Sequence, residues 1–178
     1  MDKNLPNKLS ILRVLLVPLF MAVLLIWPGE SWARWLGLAI FIIASFTDLL
    51  DGKIARKYNL VSDFGKFIDP LADKILVMAA LLVFIQWGTM QAWAVAIILT
   101  REFAVSGLRM IAASKGTVMA AAMSGKIKTA SSMVCIAAML TPLGNYPVVN
   151  WIGTVIMVVT TVVSGVEYFA KNADVLKG

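Results

Sequence analysis

Histidine is absent from this 178-residue sequence, and cysteine occurs only once, at Cys135. A single cysteine excludes an internal disulfide and a thiolate metal cluster. Without histidine there is no imidazole ligand and no histidine acid or base, which argues against a zinc site of the usual type. Any metal must then be held by oxygen atoms, which favours hard cations, Mg²⁺ first and Mn²⁺ next.

Charge is scarce as well, since 15% of the residues are charged and 60% are hydrophobic. Soluble domains are about 45–50% apolar. The segments 75–100 and 129–166 carry no charge at all, and each is longer than the ~20 residues that one membrane span needs. The composition predicts an all-α integral membrane protein, folded as one domain over residues 1–178, with no signal peptide removed from its N-terminus.

Clusters of charged residues and of the turn-forming residues Pro, Gly and Asn divide the chain into six predicted transmembrane helices. Aromatic residues gather at the short turns between them, as they do at a membrane surface. The helices are expected near residues 10–28, 34–57, 66–87, 91–113, 124–142 and 148–170.

Basic residues are concentrated at both termini and in two of the links, between the second and third and between the fourth and fifth predicted helices. The turns on the opposite side carry only Arg34. By the positive-inside rule, both termini and the two basic links face the cytoplasm. Topology thus accounts for the net charge of +6, and no nucleic acid partner is expected.

Four aspartates stand out against this apolar background: Asp48, Asp51, Asp69 and Asp73. A carboxylate at the centre of a membrane helix costs at least ~2.5–3.5 kcal/mol, so four together need a compensating partner. Spacings of three and four residues put each pair on one helix face, a turn apart. Both pairs lie at predicted cytoplasmic helix ends, so we expect them to converge as a two-metal cage with the active site on that side.

The residues around the aspartates fit the approach of a phosphate-bearing ligand. Gly52 and Gly65 remove side chains where a bulky group must come close. Ala55 adds only a small side chain to the same helix face, and the guanidinium of Arg56 can donate two parallel hydrogen bonds to a phosphate. One Asp pair alone would more simply be a solvated face or, at Asp69, a helix cap. The joint pattern favours a metal site.

The pattern Asp48-x2-Asp51-Gly52-x2-Ala55-Arg56-x8-Gly65-x3-Asp69-x3-Asp73 resembles that of the CDP-alcohol phosphatidyltransferase family at every position. The N-terminal segment 5–13 resembles that of bacterial members, with Ser10 where threonine is commoner. The resemblance implies a six-helix enzyme of the bacterial inner membrane, surrounded by bilayer lipids and usually homodimeric. Such enzymes transfer a phosphatidyl or related group from a CDP-linked donor and release CMP.

The resemblance also implies a role for each matching residue. Asp48, Asp51 and Asp69 would ligate two metal ions, Mg²⁺ or Mn²⁺. Asp73 would complete the second metal site and act as the catalytic base toward the acceptor hydroxyl. Similarity assigns the contacts to the donor, CDP-diacylglycerol, to Pro6, Asn7, Ser10, Asp51, Gly52, Ala55, Arg56, Ser62 and Gly65.

A second set of cations, Arg101, Arg109, Lys126 and Lys128, is expected to bind an anionic acceptor. Their surroundings resemble family members whose acceptor is sn-glycerol 3-phosphate, which implies phosphatidylglycerol phosphate as the product. The simpler interpretations are an ion pair of Arg101 with Glu102 or Asp73, and ordinary positive-inside residues for the rest.

Three other functions are weighed against this one. Inositol phosphate is the alternative acceptor. A small cation transporter would also carry membrane carboxylates, but its expected internal repeats are not seen. A purely structural helix bundle leaves the acids and Arg101 without a role.

Overall fold

The structure is a computed structural model of the chain. It describes the backbone of residues 5–58, 63–115 and 122–173, and the side chains of residues 11–47, 74–115 and 122–173.

The described residues form six α-helices and one short 3-10 helix, with no strand among them. The all-helical prediction is therefore confirmed. The largest difference from the predicted helix bounds is at the first helix, which begins at Leu5 rather than near residue 10. The helices are α1 (Leu5–Ile26), α2 (Ser31–Tyr58), α3 (Asp63–Gln86), α4 (Ala92–Ser114), α5 (Met123–Leu140) and α6 (Pro147–Lys171), with the 3-10 helix at Pro142–Asn145.

The first of two compact units comprises Met1–Trp87 together with Leu140–Pro142. Within it, α1 packs against both α2 and α3. Phe20, Leu24 and Phe41 are fully or almost fully buried in its core. The absence of a side chain at Gly37 lets α2 approach α1 closely, because a Cβ there would lie 2.6 Å from Cδ2 of Leu24.

Arg34 is the one basic residue in the turns that are predicted to face away from the cytoplasm, and its side chain contacts other residues of this unit. Its guanidinium lies over the Trp87 ring at 4.5 Å, and its Nη1 donates to the Thr141 carbonyl at 3.3 Å. Trp87 in turn donates from its indole N–H to the Leu24 carbonyl at 3.3 Å. Arg34 thus ties together the ends of the first unit's helices through cation–π and hydrogen-bond contacts.

The second unit comprises Gly88–Met139 and Leu143–Gly178, with α4, α5 and α6. Its buried core includes Ile98, Ile136 and Met157. Asn150 in α6 holds the preceding 3-10 turn, because its side-chain amide donates to the Gly144 carbonyl at 2.9 Å. The unit therefore has its own core and its own fixed turn.

Large apolar side chains cover the outside of the helices, among them Leu15, Met110 and Val166 with 63–71% exposure. Exposed apolar surface on this scale suits lipid rather than water. Among the described residues, α6 alone is both long and apolar enough to cross a membrane by itself. Shorter apolar stretches occur within α1, α2 and α3, at Ile11–Ile26, Ser31–Thr47 and Lys74–Gln86.

Candidate active site

The backbone places the four aspartates on two neighbouring helices. Asp48 and Asp51 belong to the last part of α2, and Asp69 and Asp73 to the first part of α3. The side chains of these four residues lie outside those that the structure describes. The same holds for the other predicted donor contacts, which are Pro6, Asn7, Ser10, Gly52, Ala55, Arg56, Ser62 and Gly65.

The backbone relates the two helices that carry the predicted metal ligands. The helices α2 and α3 pack against each other and are joined through residues 59–62, so the end of one and the start of the next lie on the same side of the hairpin. Within each helix, the two aspartate positions are three or four residues apart, which is about one turn of backbone. Among the described side chains, no group of three histidine, cysteine or acidic residues offers a metal site elsewhere.

In the second unit, Glu102 joins two of the four predicted acceptor-binding cations. Its Oε1 accepts a hydrogen bond from Arg101 Nη1 at 3.2 Å. The same oxygen accepts from Nζ of Lys128, on the neighbouring helix α5. The Arg101–Glu102 ion pair is therefore present, as the simpler interpretation predicted, and it also includes Lys128.

Two glycines lie next to the Arg101 side chain. A Cβ at Gly165 of α6 would lie 3.1 Å from Cγ of Arg101. A Cβ at Gly125, just before the lysines of α5, would lie 3.8 Å from Nη2 of Arg101. The missing side chain at Gly165 thus lets Arg101 lie close to α6, whereas the distance at Gly125 is an ordinary van der Waals contact.

Arg109 is held by Tyr168, a residue outside the motifs of the sequence. Its Nε donates to the Tyr168 hydroxyl at 2.7 Å, and its guanidinium lies over the same ring at 5.3 Å. Tyr168 is buried at 2% exposure and packs with Val105 and Leu108. A buried ring of this kind fixes the position of the cation that it contacts.

The structure does not bring all four cations to one carboxylate. Arg109 follows Arg101 by eight residues in α4, which is about 12 Å of helical rise. Lys126 is exposed, and the described residues give it no ion pair. An open groove of about 440 Å³ lies between α4 and α6. Among its lining residues, Arg101 is charged and the others are not. Arg101 therefore lines this groove, although its side chain is only 13% exposed.

The family model for CDP-alcohol phosphatidyltransferases matches residues 3–166. The chain belongs to this family, and the match includes both the aspartate pattern and the basic cluster of α4 and α5.

Relatives with a more specific name cover almost the whole chain. The CDP-diacylglycerol–glycerol-3-phosphate 3-phosphatidyltransferase of Bacillus subtilis is 45% identical, over 98% of this chain and 97% of the relative. The Rickettsia prowazekii protein of the same name is 36% identical, over 94% of each chain. A probable phosphatidylglycerophosphate synthase of Mycobacterium tuberculosis is 38% identical, over 94% of this chain and 81% of the relative.

Proposed function

We propose that this protein transfers the phosphatidyl group of CDP-diacylglycerol to sn-glycerol 3-phosphate, forming phosphatidylglycerol phosphate and releasing CMP. The observation that carries the proposal is the complete eight-position aspartate pattern, placed on the packed helices α2 and α3. The names of the full-length relatives support the choice of donor and acceptor.

Asp48, Asp51, Asp69 and Asp73 would hold two divalent cations, Mg²⁺ in the first place. When bound, the cations neutralise the pyrophosphate of the donor and stabilise the charge on the departing CMP. The family's general dependence on divalent metals supports this assignment. The donor's cytidine diphosphate would lie against Gly52, because an absent side chain permits close approach. The other donor contacts are Pro6, Asn7, Ser10, Asp51, Ala55, Arg56, Ser62 and Gly65.

Asp73 would also act as the base. It accepts the proton of the acceptor's hydroxyl while that oxygen forms a bond to the donor's β-phosphorus. The bond from this phosphorus to the bridging oxygen breaks, and its electron pair leaves with CMP. The acceptor's own phosphate takes no part in the bond changes and is retained in the product.

The acceptor's phosphate would bind to the cations of the second unit. Arg101 and Lys128 already share one carboxylate oxygen, so their N–H groups converge on a point where a phosphate oxygen fits. Arg109 and Lys126 add positive charge, and a phosphate monoester carries about −1.5 to −2 at pH 7. An uncharged acceptor would not need so many cations.

We place the enzyme in the bacterial inner membrane with six spans and both termini in the cytoplasm, so that both substrates reach the active site from that side. The apolar exterior of the helices and the uneven distribution of basic residues support this topology. A homodimer is the expected assembly, which light scattering of the detergent-purified protein would test.

The function is tested with purified protein, CDP-diacylglycerol, radiolabelled glycerol 3-phosphate and Mg²⁺. Labelled lipid and CMP should form in equal amounts, and a chelator should stop the reaction until excess Mg²⁺ is added back. Asp73→Asn should abolish the product, because the amide neither accepts the proton nor neutralises a cation. Asp63→Asn is the matched control, since Asp63 is in the same helix but outside the pattern.

Two outcomes would change the proposal. If labelled lipid forms only when inositol phosphate replaces glycerol 3-phosphate, the acceptor is wrong and the family chemistry stands. If CMP is released with neither acceptor, this chain lacks the transferase activity. A metal-dependent ion flux in vesicles that contain the purified protein would then favour the alternative function, a small cation transporter.

A further inference from the structure

Glu102 is an acidic residue placed within a set of cations that the proposed function assigns to an anion. Its Oε1 lies between the guanidinium of Arg101 and the ammonium of Lys128. The side chains of Arg101 and Lys128 are only 13% and 6% exposed. The three groups form a compact cluster of net charge +1, with most water excluded.

Two desolvated cations side by side need an anion between them. Arg101 and Lys128 would repel each other if Glu102 were neutral, because burial removes the solvent that screens like charges. The carboxylate therefore supplies a counter-charge that the helix pair α4 and α5 needs whenever no ligand is bound. In this state Glu102 occupies the position that suits the oxygen of any small anion.

A phosphate group offers the same kind of oxygen to the same N–H donors. Carboxylate and phosphate are both ordinary partners of a guanidinium fork and of an ammonium group. The N–H groups that donate to Glu102 Oε1 cannot at the same time donate to a phosphate oxygen in the same position. Binding of an acceptor phosphate at this position must then exchange contacts with Glu102 for contacts with the ligand.

We propose that Glu102 is a positioning residue that acts as a stand-in anion: it holds Arg101 and Lys128 in phosphate-binding positions while the acceptor is absent, and gives up contacts to the acceptor's phosphate. The proposal rests on the proposed function and names a new residue within it. Because the acceptor's phosphate stays in the product, Glu102 also competes with the product for the same cations and so favours its release.

The test compares thermal unfolding of the wild type and Glu102→Gln, in detergent, over a series of inorganic phosphate concentrations without donor or metal. Glutamine keeps the size and removes the charge. We expect Glu102→Gln to unfold at a lower temperature in phosphate-free buffer. Its Kd for phosphate should be about tenfold lower or more, because a competing anion is gone. The difference in unfolding temperature should close as phosphate increases.

Glu167→Gln is the matched control. Glu167 also accepts from a lysine, Lys171, four residues further along α6, but this pair is more exposed, at 32% for Glu167 and 64% for Lys171. An exposed pair contributes little to stability. The phosphate response of Glu167→Gln should therefore equal that of the wild type.

A phosphate Kd for Glu102→Gln that equals or exceeds the wild-type value would overturn the proposal. If Glu102→Gln does not fold, a double variant, Glu102→Gln with Lys128→Gln, removes the unpaired cation as well. It should fold without phosphate, and its unfolding temperature should no longer depend on phosphate. If the unfolding temperature of the double variant still depends on phosphate as that of the wild type does, the stand-in role is also refuted.

Failure of the proposed function would be seen separately, because phosphate binding requires neither donor nor turnover. Wild-type protein that makes no lipid from glycerol 3-phosphate, yet shows the expected phosphate titrations, rejects the acceptor and keeps the role of Glu102. Wild-type protein that makes the lipid while Glu102→Gln shows no gain in phosphate affinity rejects the role of Glu102 alone.

Discussion

Replacing Tyr168 by phenylalanine removes one atom from the acceptor side of the proposed site. The lost hydroxyl accepts the hydrogen bond from Arg109 Nε at 2.7 Å. The ring remains beneath the guanidinium, where the present separation is 5.3 Å. The substitution therefore separates the hydrogen bond from the cation–π contact.

The size of the effect follows from the kind of bond that is lost. A hydrogen bond to a charged group contributes about 1.5–3 kcal/mol. Since about 1.4 kcal/mol corresponds to a factor of ten, kcat/KM for glycerol 3-phosphate should fall by about tenfold to a hundredfold. The loss should be in KM rather than in kcat, because Arg109 would contact the acceptor's phosphate equally before and during the reaction. Tyr168→Leu, which also removes the ring, should lose more.

Steady-state kinetics with the acceptor varied and the donor saturating provides the assay, and thermal unfolding reports any general loss of stability. Tyr146→Phe is the control, because Tyr146 is in the same unit but 62% exposed. A Tyr168→Phe enzyme with wild-type kcat/KM would show that Arg109 does not act on the acceptor through this contact. An equal fall in kcat would place the role of Arg109 in the transition state instead.

Two glycines give predictions about stability. Gly37→Ala should lower the free energy of unfolding by about 1–3 kcal/mol, because its Cβ would meet the fully buried Leu24 and overpack the first unit. Gly107→Ala is the control and should leave the free energy of unfolding unchanged, because no atom lies within 4 Å of its Cβ. Equal effects in the two variants would refute the packing argument. Gly88→Ala should cost roughly 1–2 kcal/mol for a different reason, since its φ of +68° strains any residue with a Cβ although the space around it is open. Denaturant unfolding in detergent measures both, and an unchanged midpoint for Gly88→Ala would show that the turn adapts.

The helices were predictable because their signals are local. Charge-free runs, turn residues and interfacial aromatics are read along the chain, and they identified all six helices. Trp93 and Trp151 are exposed, and their place at a membrane interface stays a prediction. The ends were harder to predict: α1 begins at Leu5, directly before Pro6, whereas the apolar run that indicated this helix begins near residue 10.

The partners of the basic residues were only partly predictable. The Arg101–Glu102 pair was anticipated because the two are adjacent in sequence. The contacts of Lys128 with Glu102 and of Arg109 with Tyr168 span 26 and 59 residues. Such contacts depend on how each helix is rotated about its axis, which apolar sequences with little amphipathic contrast do not determine. The mutual geometry of the four aspartate side chains lies outside the described residues and stays a prediction.

The division of the chain near Trp87 and Gly88 has a consequence for how such an enzyme can change. All four aspartates belong to the first unit, whereas Arg101, Arg109 and Lys128 belong to the second with their partners Glu102 and Tyr168. Under the proposed function, the residues for metal and donor are thus encoded separately from those for the acceptor. Substitutions confined to Gly88–Met139 and Leu143–Gly178 can then alter acceptor preference and leave the sequence of the donor-binding unit intact. Under the proposed function, exchange of these segments between family members is accordingly a direct route to new head groups.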